Sequence, residues 1–391
     1  MNAQPAAAAQ QRSVGSVIQS WLNKDWVKVL IFFVLTRLII HAIAVVGMTI
    51  VSPEHSHHVP VKLYITRPDL TWGKWDVNWY ERIAREGYNG PDAMEGGYGV
   101  WAFMPLYPTV AGIVSKAANV QSGYDFFYVA SILSNVFSYA ALLWLYKIYK
   151  RKISHPDRFL EFFLVGCGTF YLSIPYTESL YLLLIAAVIE LTDRKWWIPA
   201  AVICSLAVIT RIQGAALFAI PFFTYWVQQK PKILKGLFMS AIMGIILFIP
   251  LGIFSLYLKK ITGDPLAWMN MQSAWNNPNP YFFKSIVGFI DAIRGVGPAI
   301  HLYVWLLYLF IIARNLKKLG LPNVMFSLGV FAVSTSTEIF YGANRFVLAL
   351  VPVLAVLTDE KPWVRKLFIY SNLLLIPIYA MGFVGWKDFV I

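Results

Sequence analysis

The stretch from Val27 to Val51, VKVLIFFVLTRLIIHAIAVVGMTIV, is almost unbroken apolar sequence. It is too long for the core of a secretory leader and no clear small-residue cleavage site follows it, so it reads as a retained first membrane span. Similar runs recur near 125–147, 159–174, 176–191, 196–210, 212–229, 234–258, 299–314, 322–338, 343–358 and 364–385. Most approach the roughly 18 to 25 residues that carry a helix across a hydrocarbon core. The expectation is an all-α polytopic membrane protein with about 11 transmembrane helices.

Composition agrees. Of 391 residues, 58% are hydrophobic and 14% charged, with 15 Trp, 21 Tyr and 27 Phe, more apolar and aromatic material than a soluble domain can hide. The net charge of +13 does not mark a nucleic-acid binder, because no Lys/Arg-rich face interleaved with aromatic residues accompanies it. The basic residues instead form short clusters between apolar runs: Lys147/Lys150/Arg151/Lys152, Arg194/Lys195, Lys230/Lys232/Lys235, Arg314/Lys317/Lys318 and Lys361/Arg365/Lys366. Under the assigned spans all fall in alternate loops on the N-terminal side, which the positive-inside rule makes cytoplasmic. Cys167 and Cys204 lie inside apolar runs, without metal-site or disulfide spacing.

Residues 1–24, rich in Ala, Gln and Ser, read as a disordered or surface-lying cytoplasmic arm, and residues 25–391 as one membrane-embedded domain. Two non-cytoplasmic loops are long, 52–124 and 259–298, and their Trp, Tyr, Pro and Gly content suits ordered structure skimming the membrane interface. Where short runs abut at Pro175 and Arg211, separate crossings and broken or re-entrant helices both fit.

The chemistry-bearing residues collect in the outer loops. In the stretch 72–88, WGKWDVNWYERIAREGY, Trp79, Tyr80, Ile83 and Ala84 recur at helical spacing, Gly87 supplies a stop, and Asp76 stands where an N-cap stands. This predicts a short interfacial helix, and Asp76 is either its capping carboxylate or a base. Phe103-Met104-Pro105-Leu106-Tyr107-Pro108 breaks regular helix with two prolines. Ser173-Ile174-Pro175-Tyr176-Thr177-Glu178-Ser179 places a carboxylate among hydroxyls at the outer face, where Glu178 serves a cavity or a helix start. Arg211 ends one apolar run and Arg345 opens another, each a phosphate-suited fork or a snorkelling anchor. Asp264 lies in the second long loop. His41 and the His55/His57/His58 tract could suggest metal, but the loop tract reads as solvated, and no metal or cofactor is assigned.

Asp76, Glu178, Arg211, Asp264 and Arg345 thus map to one side under a topology derived from mostly different residues. A base carboxylate, phosphate-suited arginines and an aromatic rim at lipid level fit a lipid-phosphate sugar donor. A lipid or solute transporter with a charged outward cavity is the alternative; it calls for paired helix breaks in two related halves, and no internal repeat is visible. A lipid-binding scaffold is a third reading and would leave Asp76 dispensable.

The ordered motifs Trp75-Asp76, Ile83-Ala84, Gly87-Tyr88, Phe103 with Pro105-Leu106-Tyr107-Pro108, Tyr176-Thr177-Glu178-Ser179, Thr210-Arg211 with Gly214, and Gly263-Asp264-Pro265 resemble the PIG-V-type mannosyltransferases, which include the second mannosyltransferase of GPI-anchor assembly and bacterial relatives. The resemblance spans about two thirds of the chain. It implies a GT-C glycosyltransferase fold and inverting transfer of a sugar, typically mannose, from a polyprenyl-phosphate donor to a lipid or glycan acceptor, outside a bacterial plasma membrane. Asp76 then matches the family's first-loop base, with Glu178 the second catalytic carboxylate, and Trp75, Trp79, Tyr107, Tyr176, Arg211, Asp264 and Arg345 the substrate-binding set. Lys74 departs from the arginine expected before Trp-Asp, and Trp275-Asn276-Asn277-Pro278 only loosely matches the later loop.

Overall fold

The computed structural model describes residues 24–50, 60–90, 92–120, 123–275, 296–335 and 342–387, and apart from one two-stranded hairpin its regular elements are helical. Most of the arm 1–24, the His55/His57/His58 tract and the segment Asn276-Asn277-Pro278 lie outside the described residues. The chain opens with α1, Asp25–Ile50, whose 26 residues reach about 39 Å at 1.5 Å per residue. Val29, Phe33, Ile40 and Ala44 are buried, while Leu35, Leu38 and Ile39 face outward. A long helix that is apolar on both its packed and its outer face is suited to lipid.

The first long loop holds α2 (Val61–Thr66), α3 (Pro68–Trp72), α4 (Asp76–Glu86), the hairpin Met94–Glu95 with Tyr98–Gly99, and α5 (Leu106–Ala117). There follow α6 (Gly123–Lys150), α7 (Pro156–Leu164), α8 (Glu178–Asp193), α9 (Trp197–Val208), α10 (Gly214–Leu217), α11 (Ala219–Gln229) and α12 (Ile233–Thr262). The C-terminal part comprises α13 (Ala267–Asn270), α14 (Val296–Arg314), α15 (Leu316–Ser334), α16 (Ala343–Phe346), α17 (Val351–Leu357) and α18 (Pro362–Val384). Five of these, α1, α6, α12, α15 and α18, are long and apolar enough to cross a membrane, α15 being interrupted near its start by a kink at Gly320, where φ is 68°, and α9 and the 299–314 part of α14 are shorter apolar helices. The protein is an all-α polytopic membrane protein.

Several expected spans are broken rather than continuous. The run 159–174 becomes the nine-residue α7 followed by a 3-10 turn at Thr169–Leu172. Between them Gly168 packs so tightly on the Asn344 carbonyl that a Cβ would come within 1.9 Å of its oxygen. The run 212–229 divides into α10 and α11, and 343–358 divides into α16 and α17, with a proline in the first turn of α17. Proline lacks an N–H and is best placed in the first turn of a helix, and here Pro352 stands in the first turn of the second half of the run. Of the about eleven crossings expected, these stretches are each divided into two shorter segments, and at Arg211 the broken-helix alternative is the one observed.

The two ends of the bundle differ in charge chemistry. At one end Lys28 pairs with Asp157 (3.0 Å), Lys150 with Asp25 (2.7 Å), Arg151 with Glu190 (2.5 Å) and Arg314 with Glu360 (3.1 Å), while Arg158 donates to the Thr358 carbonyl (3.2 Å). These bonds tie together the start of α1, the end of α6, the start of α7 and the ends of α8, α14 and α17. The basic clusters that carry the topology argument gather there. Helix α8 runs from that end to Glu178, about 24 Å away for 16 residues, and Glu178 belongs to the opposite end.

At the opposite end the two long loops meet. Ile83, Tyr88, Val100 and Met104 of the first pack on Phe254 and Leu258 of α12 and on Ala267 of α13. The Tyr88 ring meets Phe254 edge-on at 5.1 Å, so the far end of α12 carries the second loop over the first.

Candidate active site

Helix α4 forms because Val77, Tyr80, Ile83 and Ala84 turn one apolar face inward, and it stops at Gly87, whose φ of 77° favours glycine. Asp76 is its first residue, not its cap: the N-cap position is Trp75, which makes no side-chain capping bond. The Asp76 carboxylate reaches Arg345 instead, with Nη1 3.0 Å from Oδ2. Its backbone N–H donates to the Tyr176 hydroxyl (3.2 Å). Glu178 is likewise the first residue of α8, so both carboxylates sit at helix N-termini, where backbone N–H groups favour negative charge.

Glu178 joins the two arginines. Its Oε1 accepts from Arg345 Nε at 2.7 Å and from Arg211 Nη1, while the same Arg211 nitrogen donates to Thr177 Oγ1 at 2.9 Å. The result is a chain Asp76, Arg345, Glu178, Arg211 drawn from four separated stretches, two carboxylates against two guanidiniums. Glu178 is 2% exposed, whereas Asp76, Arg211 and Arg345 keep 17%, 12% and 11%. Aromatic rings fix the geometry. Arg345 lies 4.8 Å from the Tyr176 ring and 5.1 Å from that of Tyr171, and Tyr80 packs edge-on against Phe103, Tyr107 and Tyr176.

Asp76, Arg211 and Arg345 open onto a cavity of about 480 Å³, with Tyr80, Phe103, Thr177, Thr210, Gln213, Trp268, Gln272 and Phe346 also in its wall. Met104, Ile212, Met269 and Val333 make the remainder largely apolar. One part of the space is charged and the rest suits an apolar chain. Arginine forks of this kind can bond an anionic group, and an apolar wall can cover a hydrocarbon chain.

The other residues singled out from the sequence stand behind this wall. Trp75 donates its indole N–H to the Phe383 carbonyl (3.0 Å) and packs on Trp386 at 4.7 Å. Its φ of 59° is strained for a residue with a Cβ, and these contacts hold the bend that aims Asp76. Trp79 stacks on Phe103 at 6.0 Å, and Tyr107, fully buried, bonds Ser134 Oγ at 2.7 Å. Asp264 accepts from the Leu266 N–H (2.8 Å) and from Asn270 Nδ2 (2.7 Å), shaping the turn that carries Trp268 and Gln272 to the cavity. His41 accepts from the Trp72 indole at 3.1 Å. Tyr80, Thr210, Gln213, Trp268, Gln272 and Phe346 were not singled out as binding residues by sequence; Gln213 stands inside the Thr210-Arg211…Gly214 motif, which is the one signal that could have found it.

Two checks follow from this packing. Gly168→Ala sets a methyl against the Asn344 carbonyl beside Arg345, and is expected to destabilise the protein by about 1–3 kcal/mol and lower activity, read as a fall in thermal midpoint in detergent. An unchanged midpoint would mean that α16 moves aside freely. Lys74, 7% exposed with its ammonium 5.0 Å from the Trp386 ring, is pushed down by burial from 10.5 to about 8. Protonation of Lys74 opposes folding below about pH 8, and the penalty fades as pH rises from there toward 10.5, so stability climbs with pH across that window. Lys74→Met should flatten that rise in midpoints measured against pH; an unaltered slope assigns it to other groups.

No family model matches the chain, and no curated protein matches it. Among solved structures the chain is similar to the crystal structure of the Archaeoglobus fulgidus oligosaccharyltransferase tethered through a disulfide bond to an acceptor peptide containing the NVT sequon, with a TM-score of 0.44 and 13% identity. The likeness covers 94% of this chain and 56% of that one, so the chain spans little more than half of that structure's length.

Proposed function

We propose that this protein is a GT-C-type membrane glycosyltransferase that moves a sugar, mannose by its motif resemblance, from a polyprenyl-phosphate donor to a lipid or glycan acceptor on the non-cytoplasmic face. The observation that carries the reading is the convergence of Asp76, Glu178, Arg211 and Arg345 beside one cavity, although 269 positions separate the first from the last. In this reading the donor phosphate sits at Arg211 and Arg345, its prenyl chain along the apolar wall, and the acceptor hydroxyl beside Asp76. The hydroxyl oxygen attacks the anomeric carbon and the carbon–oxygen bond to phosphate breaks, its electron pair leaving with polyprenyl phosphate. The hydroxyl proton passes to the Asp76 carboxylate. Attack opposite the leaving phosphate inverts the anomeric centre. Glu178 holds both guanidiniums in place as phosphate charge grows.

The test offers purified protein a panel of polyprenyl-phosphate sugars with extracted lipids and glycans, and reads product mass. A product heavier than an acceptor by one hexose, dependent on the mannose donor, is the expected result. Failure with every lipid-linked sugar would remove the proposal.

A further inference from the structure

Every fully buried side-chain nitrogen or oxygen in the cavity wall has a hydrogen-bond partner, with one exception. Arg211 and Arg345 are held by carboxylates, Thr210 Oγ1 donates to the Leu206 carbonyl at 2.8 Å, Gln272 Nε2 donates to the Ala102 carbonyl at 3.0 Å, and the Trp268 indole N–H donates to Ser255 Oγ at 3.1 Å. The exception is Gln213. Its residue is 2% exposed and its Oε1 is buried with no hydrogen-bond partner.

A buried acceptor left unpaired is costly, and native proteins keep few. Here the backbone offers no escape. The Gln213 carbonyl receives the Tyr181 hydroxyl (3.3 Å) and the Ala216 N–H (3.0 Å), and the next residue, Gly214, packs so closely on Ala207 that a Cβ would lie 2.3 Å from its carbonyl. The carboxamide is therefore held in the cavity wall by a fixed turn, two residues after Arg211.

The chemistry of that position selects its ligand. A carboxamide oxygen is neutral and lone-pair bearing, so it repels the oxygens of a phosphate and accepts from a neutral O–H. The guanidiniums take the phosphate, and the group nearest to a donor phosphate is the sugar it carries.

We infer that Gln213 is a specificity residue that accepts a hydrogen bond from one ring hydroxyl of the donor sugar, making the substrate class a polyol on a lipid phosphate rather than any lipid phosphate. This rests on the transferase reading proposed above. It adds a residue whose role is to read the sugar, separate from those that hold phosphate or move a proton.

The experiment compares wild type, Gln213→Met and Gln213→Glu on polyprenyl-phosphate mannose and on its single-deoxy analogues, one for each ring hydroxyl. Wild type is expected to lose about tenfold or more in kcat/KM with one of the analogues, because that analogue leaves the buried oxygen unpaired. Gln213→Met should use the parent donor about tenfold less well and treat it and that analogue alike, with the ratios for the other analogues unchanged. Gln213→Glu keeps an acceptor oxygen at the same reach and should keep the discrimination. Gln213→Asn, which withdraws the oxygen by about one methylene, gives the same readout should Gln213→Met not fold, as judged by size exclusion and thermal midpoint.

Retention of every ratio in Gln213→Met, or an equal change in all of them, overturns the inference while leaving the transferase reading intact. A discrimination that follows the acceptor's hydroxyls instead of the donor's also overturns it. A wild-type protein inactive with every polyprenyl-phosphate sugar removes the transferase reading, and this inference with it.

Discussion

Asp76→Asn is expected to lower sugar transfer from a polyprenyl-phosphate donor by about 10²- to 10⁴-fold, the range that a positioned general base supplies, while the protein still folds. The amide matches the carboxylate in shape and keeps the backbone N–H that donates to Tyr176. It forfeits one of two carboxylate partners of Arg345, whose Nε remains 2.7 Å from Glu178. The substitution also separates the two meanings that sequence left open for this residue. Asn caps a helix about as well as Asp, so if Asp76 served only to start α4, the variant would be fully active. Initial rates by product mass, beside a near-native thermal midpoint, make the comparison; full activity would remove Asp76 as the base.

The membrane-spanning helices were legible because hydropathy and helix length act through the same variable: a run such as Val27–Val51 or 234–258 must satisfy its backbone internally in hydrocarbon. The charged members of the site were legible for a related reason. Charge at membrane depth is expensive, so Glu178, Arg211 and Arg345 stood out against apolar neighbours, Asp76 stood out by its place at a helix start and in the Trp75-Asp76 motif, and one topology put them on one side. What stayed hidden depends on close approach between distant segments. Nothing in the local pattern of 159–174 shows that Gly168 meets the Asn344 carbonyl and that the helix must end before it. Asp264 is marked by its place in the second long loop and by the Gly263-Asp264-Pro265 motif; its oxygens accept from Leu266 and Asn270, and what that motif does not show is that its turn delivers Trp268 and Gln272 to the cavity. Gln213 is neutral and unremarkable to periodicity; its place inside the Thr210-Arg211…Gly214 motif is the one trace of it in the sequence, and burial without a partner is what sets it apart in the structure. The cap reading of Asp76 was off by one residue because Trp75 takes a backbone conformation that tryptophan rarely adopts.

Arg345→Ala should be the most damaging single change at the site, in stability as well as in donor use. Arg345 sits between two carboxylates, 3.0 Å from Asp76 and 2.7 Å from Glu178, and its side chain is 11% exposed. Its removal leaves Glu178 with Arg211 alone and takes from Asp76 the one cation within ion-pair distance among the described residues. Breaking a buried pair from one side costs about 3–5 kcal/mol, because the stranded charge keeps its desolvation penalty. Asp76 is the carboxylate left stranded, since Glu178 keeps Arg211, and its partial exposure places the cost toward the lower part of that range. Arg211→Ala should be milder: it frees Thr177 and one of two bonds to Glu178, and leaves the Asp76 pair intact. Arg345→Lys is not expected to rescue, since one ammonium cannot reproduce the planar fork that bonds Glu178 through Nε and Asp76 through Nη1. Neutralising Asp76 alongside, as in Arg345→Met with Asp76→Asn, removes the carboxylate that the substitution strands and leaves Glu178 with Arg211, so it should recover much of the lost thermal midpoint without recovering transfer. That divergence between midpoint and donor KM is what distinguishes a phosphate-binding arginine from a structural ion pair. If Arg345→Ala leaves the donor KM at its wild-type value, Arg345 is structural and the phosphate belongs elsewhere in the cavity.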